Sequence, residues 1–131
     1  MTGAVRGLSE AVHRHGKPIS AAVFPTPTIA RALVRQAWDE WPLDRFFPML
    51  YQGFYLEDIA WIGDGVREGI AAMGGRDGKP LCAGLYLPSL DPAQLAQAVE
   101  TARTAGAEGV SLFEMDGLGD EHLAALRAAL L

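Results

Sequence analysis

Two carboxylates, Glu114 and Asp116, follow a β-rich run near the end of the chain, in the segment GVSLFEMDGLGDE. Residues two apart at the end of an extended strand point the same way, so the two groups would crowd each other and raise the pKa of one, as an acid catalyst requires. Two carboxyl groups about 5–10 Å apart are the usual machinery for hydrolysing a glycosidic bond. Glu114 and Asp116 are therefore the candidate catalytic residues. The alternative is that Asp116 and Gly117 form a simple turn and that Glu114 is solvated.

A second group of candidates lies in and after the aromatic run FFPMLYQGFY, residues 46–55. In an extended strand Tyr51 shares a face with Phe47 and Met49, so its hydroxyl can reach the rim of a site and donate a hydrogen bond. The other rings offer flat faces on which the C–H groups of a sugar can stack, although aromatic residues also serve as buried anchors. Five residues are thus candidates for substrate binding: Tyr51, Gln52, Phe54, Tyr55 and Trp61.

The histidines and the single cysteine form no pattern that binds a metal. His13 and His15 are two apart and cannot share a helix face, and no third ligand is close to them. Cys82 lies in the apolar run PLCAGLYL, where a thiol usually packs as a small hydrophobic group. No loop contains a G-x-G-x-x-G or a P-loop motif that would hold a nucleotide phosphate. We therefore predict no metal site and no cofactor.

Charge and hydropathy narrow the classes of partner. The formal charge is −5, and no basic cluster is longer than residues 14–17, so the sequence gives no footprint for nucleic acid or for an anionic membrane. No apolar h-region opens the chain, and no run of eighteen apolar residues occurs, so we expect neither a signal peptide nor a membrane span. The default expectation is a cytoplasmic protein, and the compartment is open if the chain is a fragment of a secreted protein.

Four apolar β-rich runs alternate with segments of helical spacing. The runs lie at residues 19–24, 45–51, 81–87 and 109–115, and each is nearly continuously apolar, as expected of a strand covered on both faces. The spacing predicts a first helix that has Val5, Leu8 and Val12 on one face and stops at Gly16. It predicts a second from Thr26 to Pro42, a third with Ile59 to Met73 on its buried face, a fourth capped by Asp91 and closed by Gly106, and a fifth from Asp120.

The predicted fold is α/β, with the order α-β-α-β-α-β-α-β-α in one domain over residues 1–131. A helix after every strand makes neighbouring strands parallel. Four such units form either a small open, doubly wound sheet or a parallel four-stranded half of a (β/α)₈ barrel, whose full length is about 250 residues. The absence of a phosphate-binding loop favours the half-barrel.

A tryptophan-bearing helix, a Leu-Asp pair and a strand reading Pro-Met-x-Tyr follow one another along the middle of the chain. A later strand reads Gly-x-x-x-Phe. From residue 19 onward this arrangement resembles the C-terminal half of the glycoside-hydrolase-like barrels, the bacterial proteins grouped as family-10-like glycosyl hydrolases. The matching residues are Trp38, Trp41, Leu43, Asp44, Pro48, Met49, Tyr51, Gly109 and Phe113.

The resemblance implies a TIM barrel with a carbohydrate bound at the C-terminal ends of its strands. Related glycosidases carry an acid/base carboxylate after the fourth strand, which by this register would precede Met1, and a nucleophile after the seventh, where this chain has Leu87-Pro88-Ser89. The expected carboxylates are thus missing, and hydrolase activity is an open expectation. Three interpretations remain: a fragment of a larger enzyme, a half-barrel that dimerises to complete the barrel, or a relative without catalysis. A non-catalytic module with an open flavodoxin-like sheet is the alternative to all three.

Overall fold

A computed structural model describes the backbone of residues 1–131 and every side chain except that of Arg76. Helices and strands alternate along the chain as the hydrophobic pattern predicts. The elements are α1 (Thr2–His13), β1 (Ser20–Val23), α2 (Pro27–Val34), β2 (Arg45–Pro48), α3 (Ala60–Ala72), β3 (Cys82–Tyr86), α4 (Pro92–Ala105), β4 (Gly109–Phe113) and α5 (Asp120–Leu130). Short 3₁₀ turns follow β2 at Gln52–Tyr55 and β3 at Leu87–Ser89.

The strands form two parallel pairs. β1 pairs with β2, with Ser20 opposite Arg45, and β3 pairs with β4, with Cys82 opposite Gly109. Isolated parallel bridges, Phe46 to Leu81 and Met49 to Gly84, link β2 to β3. The prediction of an α/β fold with parallel strands is confirmed, whereas the half-barrel stays a prediction.

The two faces of the strands differ in burial, because successive side chains of a strand point to opposite sides. On one face Val23, Phe46, Ala83 and Leu85 are fully buried in a single core with side chains of the helices. On the other face Ala22 and Phe113 are exposed and Phe47 and Met49 are half-buried, whereas Cys82 and Gly84 of β3 are buried. The predicted cover on both faces is therefore confirmed for β3, whereas β1, β2 and β4 are exposed or only half-buried on at least one face.

Glycines let α3 lie close to the strands. A Cβ at Gly69 would come within 2.7 Å of Leu81 and 3.0 Å of Trp38, and one at Gly65 would collide with Leu50. Each glycine lowers helix propensity by about 1 kcal/mol relative to alanine. The buried stripe of α3, which includes Ile62 and Val66, offsets that loss through close packing on β2 and β3.

Two helix predictions were wrong in extent. α1 ends at His13 rather than Gly16, and Leu8 is exposed while Ser9 takes its place on the buried face. The second helix was expected to continue to Pro42, but α2 ends at Val34, and Arg35 adopts a left-handed conformation with φ 56°. The break has a physical reason: the chain must turn there so that Trp38 enters the core in a separate 3₁₀ turn.

Asp44 joins the N-terminal end of β2 to the chain before β1. Its Oδ2 accepts hydrogen bonds from His13 Nε2 at 2.8 Å and from the amide of Ile19 at 2.7 Å. These two hydrogen bonds hold the pKa of Asp44 below its ordinary value of 3.8. Asp44 is thus a structural residue at the end of the strands opposite to the candidate site, as expected from its position before β2.

We expect Asp44 to make unfolding depend on acidity. Because its pKa is lower in the folded chain than in the unfolded one, its contribution is fully present above about pH 4 and is lost as the pH falls through the lower, folded value. The urea midpoint of the Asp44→Asn variant should therefore fall less than that of the wild type between about pH 5 and about pH 3. Equal drops in the two proteins would contradict the assignment.

Candidate functional site

Four aromatic rings meet at the C-terminal ends of β2, β3 and β4, and we call them the aromatic surface: Tyr51, Phe54, Tyr86 and Phe113. The ring of Tyr51 lies 5.6 Å from that of Tyr86 and 6.1 Å from that of Phe113, with the latter pair stacked at 20°. Phe54 meets Tyr86 edge-on at 4.9 Å. The parallel register places Tyr86 directly beside Phe113, and this pairing brings the rings together.

The rings are open to solvent on one side. Phe54 is 64% and Phe113 53% exposed, while Tyr51 and Tyr86 are partly buried between them. Burial raises the pKa of Tyr51 above its ordinary value, so its hydroxyl remains a hydrogen-bond donor over the whole neutral range. An exposed group of aromatic rings that includes two tyrosines can bind a ligand that has an apolar face and polar rims.

Two of the candidate rings lie in a separate pair. Tyr55 stacks on Trp61 of α3, with centroids 5.3 Å apart and planes at 28°. Among the described side chains, no ring contact joins this pair to the aromatic surface. The structure thus divides the predicted binding residues, with Tyr51 and Phe54 in one group and Tyr55 and Trp61 in another.

Gln52 belongs to neither group. Its side chain is only 7% exposed, and its Oε1 accepts no hydrogen bond from the described residues. It lines a cleft on the side of the β2 end that faces α4. A direct contact between Gln52 and a ligand on the aromatic surface is therefore not supported by its position.

The two candidate carboxylates lie in the turn after β4, directly beyond Phe113. Both are exposed, and neither forms an ion pair with a described side chain. Asp116 lines a cleft of about 520 Å³ together with Ser89, Asp91 and His122, but Glu114 does not. The turn therefore places only Asp116 beside other polar groups of the strand ends.

His122 lines the same cleft, and its hydrogen bond shows which ring nitrogen carries the proton. Its Nε2 lies 3.0 Å from the carbonyl oxygen of Leu90. Because a carbonyl can only accept, Nε2 carries the proton, and in the neutral ring Nδ1 is the acceptor. His122 lies in the first turn of α5, and this position brings it to the same cleft as Asp116.

Sequence reasoning missed Tyr86 as a site residue and used Phe113 only as part of a motif. Both are the last residues of their strands, and both point to the same face as Phe47 and Tyr51. Alternation places the side chains of one strand on alternate faces, but only the pairing of the strands shows that Tyr51, Tyr86 and Phe113 share a face. The missing step was the pairing of β3 with β4 in register.

No described set of three or more His, Cys, Asp or Glu side chains has the geometry to hold a metal ion. None of the helices has the length and apolar character needed to cross a bilayer within the described part of the chain. The chain matches no protein-family model, and no curated protein matches it significantly.

Proposed function

We propose that the chain is a carbohydrate-binding part of a glycoside-hydrolase-like barrel and that the aromatic surface holds the glycan. The single observation that carries this proposal is the group of four rings at the C-terminal ends of neighbouring parallel strands. Ligands of parallel α/β barrels bind at that end of the strands. Exposed rings with tyrosine hydroxyls at their edge suit pyranose sugars, whose C–H faces are apolar and whose rims carry hydroxyls.

The order of elements supports a half-barrel over a doubly wound sheet. The bridges between β2 and β3 give the spatial order β1-β2-β3-β4, which is also the chain order. A doubly wound sheet changes direction in its strand order and carries helices on both faces. Here α2 contacts α3, α3 contacts α4 and α4 contacts α5, which favours one curved layer of helices outside the strands.

Replacing Phe54 by alanine should weaken glycan binding without unfolding the chain. The ring is 64% exposed, so its loss removes stacking area and little core packing. A nucleobase stacked on an aromatic side chain gains roughly 1–3 kcal/mol, and for a sugar on Phe54 we expect the lower part of this range, a fall in affinity of about tenfold. Affinity electrophoresis in gels that contain soluble xylan, β-glucan or glycogen would measure the change.

Tyr55→Ala is the matched control, because it removes a neighbouring ring that stacks on Trp61 and not on the aromatic surface. Retardation of the wild type and of Tyr55→Ala, with loss in Phe54→Ala, supports the proposal. If no polysaccharide retards the wild type, or if both variants behave like it, the proposal fails.

Catalysis is a separate proposal that rests on Glu114 and Asp116. Their place in the turn directly after Phe113 supports it, because a glycan on the aromatic surface would pass close to that turn. Release of reducing ends by the wild type, and not by Glu114→Gln, would add hydrolysis to binding. Glycan binding without release of reducing ends would indicate a non-catalytic relative of the barrel glycosidases.

An assembly role is the second candidate, and the uncovered face of the strands favours it. The outer edges of β1 and β4 have no strand partner among the described residues, and Phe113 is 53% exposed on that face. Free edges and apolar faces of this kind are usually covered by a partner. We propose either a second copy that completes the barrel or another part of a longer chain, and a monodisperse monomer in sedimentation would argue against the second copy.

A further inference from the structure

A cleft of about 520 Å³ opens at the C-terminal ends of β3 and β4, beside the aromatic surface. It is lined by the turns that follow these two strands and by the first turns of α4 and α5. Ser89 and Asp116 are three residues beyond Tyr86 and Phe113, and three residues of extended chain span at most about 11 Å. A glycan that covers Tyr86 and Phe113 therefore needs only a few further sugar units to reach the cleft.

The walls of the cleft combine apolar groups with a few polar ones, as is usual in sites for small ligands. Four of the ten lining residues are leucines or prolines. The polar side chains are Ser89, Asp91, Gln94, Asp116 and His122. No lysine or arginine lies among the lining residues. The two carboxylates would repel an acidic sugar, so an uncharged ligand suits the cleft better.

His122 has a defined hydrogen-bonding state. Its Nε2 donates to the carbonyl oxygen of Leu90 at 3.0 Å, which leaves Nδ1 of the neutral ring as an acceptor. Nδ1 has no partner among the described residues, and it is not one of the buried polar atoms without a partner. This nitrogen is therefore open to solvent, on a ring that lines the cleft and is held in place by its bond to Leu90.

Gln94 supplies a group of the opposite kind. Its Oε1 accepts the amide of Asp91 at 3.0 Å, so Nε2 is the atom left to bind a ligand, and it can only donate. A ligand that fits both side chains must donate to His122 and accept from Gln94. A sugar hydroxyl does both, whereas an ammonium group cannot accept a hydrogen bond.

We infer that the cleft binds an uncharged sugar unit of a glycan that extends from the aromatic surface, with a hydroxyl of this sugar donating to Nδ1 of His122. The inference rests on the proposed function and adds to it the charge and the length of the glycan. A chain of several sugar units binds more tightly than a disaccharide, because only the longer chain reaches both places.

Isothermal titration of the whole chain tests the length and the charge. The probes are cellobiose and cellohexaose, xylobiose and xylohexaose, and maltose and maltohexaose. We expect at least one hexasaccharide to bind about threefold or more tightly than its disaccharide, since the cleft adds at least one net hydrogen bond. A hexamer of galacturonic acid, which has a carboxylate on every unit, should bind more weakly than the preferred neutral hexasaccharide.

Two variants separate ligand binding by His122 from a structural role. His122→Gln puts an amide donor in the place of Nε2, so it can keep the hydrogen bond to Leu90 while it removes the Nδ1 acceptor. His122→Asn keeps an acceptor near the place of Nδ1. We expect His122→Gln to lower hexasaccharide affinity about threefold to tenfold, the effect of one hydrogen bond, and His122→Asn to lower it less. Glu121→Gln, one residue away and outside the cleft, should leave the affinity unchanged.

Three results would overturn the inference and leave the glycan proposal standing. They are equal affinity for the disaccharide and the hexasaccharide, tighter binding of the galacturonic acid hexamer, and hexasaccharide affinity that His122→Gln leaves unchanged or that His122→Gln and His122→Asn lower equally. If no oligosaccharide binds the wild type, the glycan proposal itself fails, and this inference fails with it.

Discussion

Trp38→Ala is expected to lower the free energy of unfolding by about 3–5 kcal/mol, the usual cost of removing a large buried ring. Trp38 is fully buried and lies 5.4 Å from the ring of Phe46 on β2. Its far edge fills the space left by Gly69 of α3. A loss of this size is a large part of the 5–15 kcal/mol that typically keeps a domain folded, and urea denaturation followed by circular dichroism would measure it.

Trp38→Phe is the matched variant for this experiment. The indole Nε1 of Trp38 is buried and donates no hydrogen bond to a described group, so its removal costs no interaction and relieves an unsatisfied donor. We expect less than half of the loss seen with alanine. A phenylalanine variant as unstable as the alanine variant would show that the orphan donor has a partner in solution.

Gly84→Ala should separate β2 from β3. A Cβ at this position would lie 2.7 Å from the carbonyl oxygen of Pro48 and 3.3 Å from the Cα of Met49, and neither backbone atom can move without disturbing the pairing. The amide of Leu50, which donates at 3.0 Å to the carbonyl oxygens of both Gly84 and Pro48, would lose its partner on β3. We expect a loss of about 1–3 kcal/mol from overpacking, together with weaker binding of the proposed glycan, because Tyr51 and Tyr86 lie just beyond this contact.

Gly53→Ala is the control for that experiment. Gly53 lies in the turn after β2, and a Cβ there would meet nothing within 4 Å. Its urea midpoint should match or slightly exceed that of the wild type, since alanine restricts the unfolded chain. Equal stability of the two alanine variants would mean that β2 and β3 lie farther apart at Gly84 than in this structure.

The sequence predicted elements where local chemistry decides them. Asp91 and Pro92 form the expected start of α4, with Asp91 accepting from the amide of Gln94 and Gly106 closing the helix at φ 111°. The end of α2 was not predicted because it depends on contacts with other parts of the fold. The side-chain oxygen of Gln36 accepts a hydrogen bond from the amide of Phe24, and Trp38 is buried in the core. The local sequence pattern alone is equally suited to a longer helix.

The candidate site was predicted in part for the same reason. Tyr51 and Phe54 could be predicted because they lie in a segment rich in aromatic residues. Tyr86 is 35 residues from Tyr51 in the sequence, and only strand pairing brings the two rings together. Gln52 was predicted to bind substrate together with its aromatic neighbours. The 3₁₀ turn instead directs it toward α4, so that one predicted residue belongs to a different cleft.

Five helices accompany four strands in this chain, since α1 precedes the first strand and α5 follows the last. A closed eight-stranded barrel has one helix for each strand, so two copies arranged as a ring would bring ten helices to eight places. Two helices would then be in excess of the strands. A complementary segment of four strands and three helices would fill the ring with none in excess, which makes an unlike half the simpler counterpart.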